Sequence, residues 1–371
     1  MADGDTRDPM RPRDEISTIP TWEQLSLGIH DLASFDVGLL NLIAAQGMPG
    51  AENIDVPKLL DRLDEWADRV KLETARHMYR FAWMSQQPQT EFTVGDSLAR
   101  YCCYCLLQTL QEDCGVRYNP KRKFHPDFCQ VPDIFIHGIV DEKGEGGTCA
   151  TMPIVYVAVG RRLGYPVYLV ETKGHLLFRW WSEQVTVIRW DSPPYEFRVP
   201  RDRFNVEGSG EGIAFYSDPH YIQWPELWKE EDFAHGYYLR PLTTIEEFSS
   251  FLIQRCCCFE DLGRYREALD SVFAARRLCP EDIRYKAVHS QITKKYVEDE
   301  ARQLDFIYEL NERNRRAIEA RSPAGKPAFP LTRIQEQNRL MERERDRRDF
   351  VARMLKQCNE DPILKLKSAK E

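Results

Sequence analysis

The sequence predicts an α+β protein: a helical lead-in, a small antiparallel sheet packed on one helix, and a helical C-terminal region. Three observations predict it. Apolar residues recur at spacings of three and four from Phe35 to about Ala82, and the chain is helical again from about Thr244. Short runs rich in β-branched and aromatic residues fill 166–208. A glycine-rich loop and one apolar helix, 149–164, stand between these regions.

The elements follow in order. Residues 1–20 hold Asp, Arg, Pro and Gly with almost nothing to bury, which predicts a disordered tail. The lead-in is 21–130. Leu39, Leu40 and Ile43 form one stripe, and Leu59, Leu60, Leu63, Trp66, Ala67 and Val70 another. Asp55 before Val56-Pro57 reads as a helix N-cap followed by Pro in the first turn. A third helix is expected from about Val94 to Asp113, ending near Gly115. The core is 131–243. DIFIHGIV (133–140) reads as a short strand or a partly buried loop, and Gly164 closes the 149–164 helix. PVYLVE (166–171), HLLFRWW (175–181), VTVIRW (185–190) and FNVEG (204–208) read as strands. Residues 244–290 read as a pair of helices and 291–371 as a charged helical tail.

Composition bounds the function. The chain has 371 residues, 42% hydrophobic and 30% charged, which is ordinary globular usage. Net charge is 51 − 59 = −8, so nucleic acid is not expected as a partner. No apolar run approaches the ~18 residues of a spanning helix, so no membrane role is expected. Eleven cysteines, with a polar N-terminus that lacks a signal-peptide core, predict free thiols in a reducing cytoplasm. Residues 311–371 hold 16 Lys/Arg and 10 Asp/Glu, a net +6 that leaves −14 elsewhere. A solvated helix is the simpler reading of that tail. A docking arm for an acidic partner, or for the chain's own acidic body, is the sharper one.

The segment that carries chemistry is GGTCATMP (146–153), followed by GH at 174–175. Cys149 follows a glycine-rich loop and opens a predicted helix. The first N–H groups of a helix have no internal partner, and with the helix dipole they favour an anion, here a thiolate. They could also hold the oxyanion of a tetrahedral intermediate. Pro153 fits a first turn, where a missing N–H costs nothing. His175 begins a strand only one strand further on, so it can pair with Cys149 as base. The imidazole then needs an orienting carboxylate. Asp191 ends VTVIRW but precedes Ser192-Pro193-Pro194, where Asp also caps turns. Glu207 ends FNVEG and enters the loop GSGEG. On these grounds both carboxylates stay open. Taken singly, Cys149 could be a buried thiol and His175 a satisfied core histidine.

These residues carry a resemblance. GTC-x3-P-x2-Y-x2-VGRRLGYPVYLVETKGHLLFRW resembles the Cys-helix and His-strand core of the transglutaminase-like cysteine fold, which is shared by transglutaminases, bacterial peptidases and peptide N-glycanases and more distantly by papain-like enzymes. FDVGLLNLIAAQGMPGAENIDVPKLLDRLDEWA is similar to the lead-in of a bacterial subgroup that ends in a tetratricopeptide-like region. The resemblance covers about 35–290. It implies Cys149 as nucleophile and His175 as general base and acid; the subgroup's pattern, which places its carboxylate at a strand end before a Gly loop, favours Glu207, while the 16-residue spacing after His175, common in the wider fold, keeps Asp191. The implied activity is a peptidase, amidase or transglutaminase-type acyl transfer on a protein or peptide, with no cofactor or metal. Many members of that subgroup lack the nucleophile. The alternative is therefore a catalytically silent scaffold that binds a partner protein through its helical region. A redox-sensing thiol is a third option.

The remaining clusters read as packing. Cys102-x-x-Cys105 has no second pair at zinc spacing, and Cys256, Cys257 and Cys258 cannot face one ligand from a helix. His137 reads as structural, Trp180, Trp181 and Trp190 as cover for a sheet face, and His220 and His235 as loop residues without ligand spacing. LGRYREALDSVFAARRLCPED (262–282) resembles the second half of one tetratricopeptide repeat, with Ala268, Ala275 and Pro280 at that repeat's separations. A lone repeat should lean on the core.

Overall fold

The computed structural model describes residues 19–28, 30–86, 94–122, 126–191, 194–210, 212–321 and most of 342–356. The expected 1–20 tail lies almost wholly outside the described residues, as do 322–341 and 357–371 of the charged tail. The fold is mixed: many helices and two small antiparallel sheets.

The lead-in forms α1 (Trp22–Ser26), α2 (Val37–Ala45), α3 (Val56–Met84) and α4 (Leu98–Glu112). Asp55 caps α3 by accepting the Lys58 N–H, and Pro57 sits in its first turn. The expected 94–113 helix is divided. A 3-10 turn, Val94–Asp96, precedes Ser97, whose hydroxyl accepts the Arg100 N–H and starts α4. Gly115, at φ +76°, follows its end.

DIFIHGIV is neither strand nor loop but two helical turns, α5 (Val131–Ile134) and α6 (His137–Val140). A short apolar run buried on every side has no period to distinguish the two forms. Pro132 starts the first turn, and Gly138 lets the second fold onto it: a Cβ on Gly138 would lie 2.0 Å from the Pro132 carbonyl oxygen.

Next come α7 (Met152–Arg162), β1 (Val167–Thr172), β2 (His175–Ser182), β3 (Thr186–Asp191), β4 (Pro194–Val199) and β5 (Asp202–Val206). The helix expected from 149 begins at Met152. Pro153 has no N–H to give the Cys149 carbonyl, so the hydrogen-bonded register starts later. Its C-terminus closes with Tyr165 N–H to Gly160 C=O at 3.0 Å and Gly164 at φ +77°. Sheet order is β1-β2-β5, all antiparallel, with α7 packed on β1 and β2. β3 and β4 pair as a separate ribbon. β4 was not expected, because Pro194 hides the alternation of Tyr195, Phe197 and Val199.

The segment after β5 carries α8 (Asp218–Gln223) and α9 (Glu230–Ala234). A helical hairpin follows, α10 (Thr244–Asp261) and α11 (Tyr265–Leu278), with Ala268 and Ala275 fully buried where the two helices meet. The hairpin leans on the rest of the chain. Buried Glu247 takes a bidentate grip from Arg161 of α7 (2.6 and 3.0 Å), and Arg255 donates to the carbonyls of Ala44 and Gln46. α12 (Ile283–Arg321) is one long helix that starts before the expected boundary at 291. The helical segment within 342–356 lies back along it, with Arg347 on Glu300 and Arg348 on Asp305, both at 2.5 Å. Two arginines of the described tail segment thus pair with acids of α12. One contiguous buried cluster runs from Leu25 to Ile292 across lead-in, sheet and hairpin. Among the described residues no helix is long and apolar enough to cross a membrane.

Candidate active site

Cys149 sits in the turn leading into α7. Thr148 organises that turn: its hydroxyl accepts the Ala150 N–H, and its carbonyl accepts those of Thr151 and Met152 at 3.1 and 3.0 Å. The Thr148 hydroxyl donates to the Asp133 carbonyl at 2.6 Å, tying the turn to α5. The glycine loop before it packs on 117–119. Gly147 donates to the Arg117 carbonyl and accepts from Asn119, both at 2.8 Å. Gly146 stands at φ +116°, where a Cβ would lie 2.8 Å from the Arg117 oxygen, so glycine is required. Cys149 itself is half-buried. The Tyr118 phenol faces its N–H.

His175 is the first residue of β2, paired with Thr172 across the two-residue turn Lys173-Gly174. Gly174 takes φ +71°, as that turn requires. β5 pairs with β2 up to Phe178↔Val206, so the next residue, Glu207, emerges beside His175. Its Oε2 lies 2.8 Å from His175 Nε2. The other oxygen accepts the Ser209 N–H at 3.0 Å and also the Ser209 hydroxyl. Tyr221 of α8 donates to Oε2 at 3.2 Å. With Nε2 on the carboxylate, Nδ1 is left for the thiol.

The electrostatics agree with this geometry. Burial opposes a charge on His175, but hydrogen bonds to Cys149 and Glu207 outweigh it and raise the imidazole to about 9. Burial likewise opposes ionised Glu207, and hydrogen bonds from His175 and Ser209 reverse it, so the carboxylate stays below its usual range. Around the imidazole, Tyr221 stacks at 6.2 Å between ring centres and Trp224 meets it edge-on at 4.8 Å.

Thus Cys149, His175 and Glu207 come together. Asp191 ends β3 in the separate ribbon, paired with Pro194, and the carboxylate on His175 is that of Glu207. The sequence reading did not single out Ser209, Tyr118, Tyr221 or Trp224. Only Ser209, inside the glycine loop after Glu207, left a local signal.

The other singled-out residues lie elsewhere. Trp180 and Trp190 are buried, and Trp181 lies beneath the Arg203 guanidinium at 4.0 Å. His137 is buried with neither ring nitrogen bonded among the described residues, and burial lowers it to about 4. Cys102 and Cys105 are buried in α4, and burial pushes Cys105 up to about 11. Cys256 and Cys258 are buried in α10. No group of three or more metal-ligating side chains occurs among the described residues. His220 stacks on Tyr216 at 4.2 Å, and His235 Nδ1 accepts the Tyr237 N–H at 3.0 Å.

A cleft of about 660 Å3 flanks the site, lined by Gln111, Arg117, Tyr118, Lys121, Glu145 and Met152 among others. Set against protein-family models, curated proteins and solved structures, the chain matches none of them.

Proposed function

We propose that this chain is a cysteine-dependent acyl-transfer enzyme acting on an amide, of the transglutaminase-like type. The observation that carries the reading is the position of His175, hydrogen-bonded on one side to Glu207 and on the other facing Cys149. A half-exposed thiol, a charged imidazole and a buried carboxylate in that order make an activated nucleophile. The run from the Cys149 turn through α7 to a strand pair headed by His175 also supports the family resemblance.

In the proposed cycle His175 already holds the proton taken from the Cys149 thiol, which gives the imidazole its charge, and the sulfur bonds to the amide carbon. The carbonyl oxygen becomes an oxyanion beside the Cys149 N–H, the one N–H of the turn at 148–152 that is not bonded within that turn. His175 returns the proton to the amine as the C–N bond breaks, leaving a thioester on Cys149. Water as the second acceptor gives a peptidase or amidase, and an amine gives a transferase. Glu207 orients the imidazole and stabilises its charged form. We further place the protein in the cytoplasm, since the ten described cysteines are all free thiols.

The test is alkylation of native protein by iodoacetamide across pH, read by peptide mass spectrometry, with His175→Ala beside it. Cys149 should label first, and more slowly in the variant. Labelling of Cys149 no faster than Cys105 or Cys258 sinks the enzyme reading and returns the partner-binding scaffold.

A further inference from the structure

We propose that the cleft beside Cys149 is a substrate subsite in which Arg117 receives a carboxylate, so that acidic peptides are the preferred amide donors; this rests on the acyl-transfer reading above. The cleft's volume, about 660 Å3, falls within the ~300–1,000 Å3 of ordinary ligand sites. Part of its wall adjoins the segments that hold the triad. The Arg117 carbonyl accepts the Gly147 N–H at 2.8 Å, two residues before the nucleophile. Met152 opens α7 just after Cys149, and Gly210 follows the Ser209 that holds Glu207.

The charge in this cleft is uneven. Lys121 and Glu145 satisfy each other at 3.0 Å. Arg117 is exposed, and its side chain makes no hydrogen bond or ion pair with any described residue. Among the described residues the lining therefore carries one cation without a counter-charge, in a chain of net charge −8. A guanidinium stays charged at any working pH and presents a planar fork that fits a carboxylate with two parallel hydrogen bonds. Its backbone is pinned to the Cys149 loop, so the bound carboxylate would stand in fixed register with the scissile amide.

The probes are N-iodoacetyl derivatives of glycine, β-alanine and γ-aminobutyrate, each compared with its uncharged carboxamide. At low salt the acid of the best-fitting length should alkylate Cys149 about fivefold faster than its amide, the scale of one exposed charge pair. Arg117→Ala should bring that ratio to one, and Arg117→Glu should invert it. Lys143→Ala removes the same charge from a nearby exposed position and should keep the ratio. A second assay needs no reactive thiol: binding of fluorescent tetrapeptides to Cys149→Ala protein. A Glu peptide with an amidated end and a Gln peptide with a free C-terminus, each against an amidated Gln peptide, tell a side-chain carboxylate from a terminal one. Ratios and affinities indifferent to Arg117 overturn the proposal. Arg117-dependent binding with a Cys149 inert to every reagent leaves the subsite standing and removes the acyl-transfer function instead.

Discussion

His175 Nε2 and Glu207 Oε2 lie 2.8 Å apart although 32 residues separate them in the chain. The antiparallel β2–β5 register joins them, and its last pair is Phe178↔Val206. A glutamate suits this place because it stands one residue beyond the strand end and reaches back with its longer side chain.

Removing the carboxylate should leave the imidazole unoriented and less readily charged. Glu207→Ala should lower kcat on an amide substrate by about 10²–10⁴-fold, the usual scale of general acid–base assistance. Asp191→Asn should leave kcat close to that of the parent protein. The His175 ring titration, followed by NMR, should move down from about 9 in the Glu207 variant. An unmoved titration removes Glu207 from the site.

The reaction should fail at alkaline pH. His175 must carry its proton to the leaving amine, and it loses that proton near 9. kcat/KM for an amide substrate should therefore fall as pH rises through about 9. A rate still climbing beyond pH 10 would exclude His175 as the acid.

Thiol chemistry should discriminate among the cysteines. Burial pushes Cys105 and Cys114 up to about 11 and Cys257 up to about 12. At pH 7.5 these three should remain largely unlabelled after Cys149 is fully alkylated. Quantitative peptide mass spectrometry over time reads the order.

His137 should set part of the acid sensitivity. Burial lowers it to about 4 from an ordinary 6.5, with Asp141 pulling weakly the other way. Below pH 6.5 the unfolded chain takes up a proton that the folded chain refuses, so stability drops between pH 6.5 and 4. The loss is about 3 kcal/mol from this residue. His137→Phe keeps the ring, removes two unbonded nitrogens, and should flatten the acid limb of urea-unfolding free energies. An acid limb unchanged from that of the parent protein would show that His137 is hydrated or partnered.

The buried Arg161–Glu247 contact should matter only when broken on one side. Glu247→Ala strands a guanidinium between α7 and α10 and should cost about 3 kcal/mol, while the double replacement Arg161→Met, Glu247→Leu should recover most of it. Denaturant midpoints of the three proteins read this directly.

Much of the fold was legible because its signals are local. Asp55 ahead of a proline, Gly164 after an apolar helix, and β-branched runs at 166–190 each declare an element through near-neighbour sterics and hydrogen bonding. Local signals also misled. DIFIHGIV lost its period because α5 and α6 are buried on all sides, and the start of α7 moved because Pro153 withholds one N–H.

Cys149 and His175 stood out by sequence because a loop–helix start and a tight hairpin are short-range features, and the carboxylate did not. Asp191 and Glu207 both end strands, and no local property says which strand end faces the imidazole. Strand pairing decides it: β5 lies beside β2, while β3 turns away into a ribbon with β4. Tyr221, Trp224 and the Arg117 cleft belong to the same class, reaching the site through long-range packing. The sequence alone determined which elements form and where a thiol and an imidazole could serve. Tertiary structure decided which carboxylate and which rings surround them, because hydrogen-bond register between distant strands is a property of the folded sheet and not of any stretch of chain.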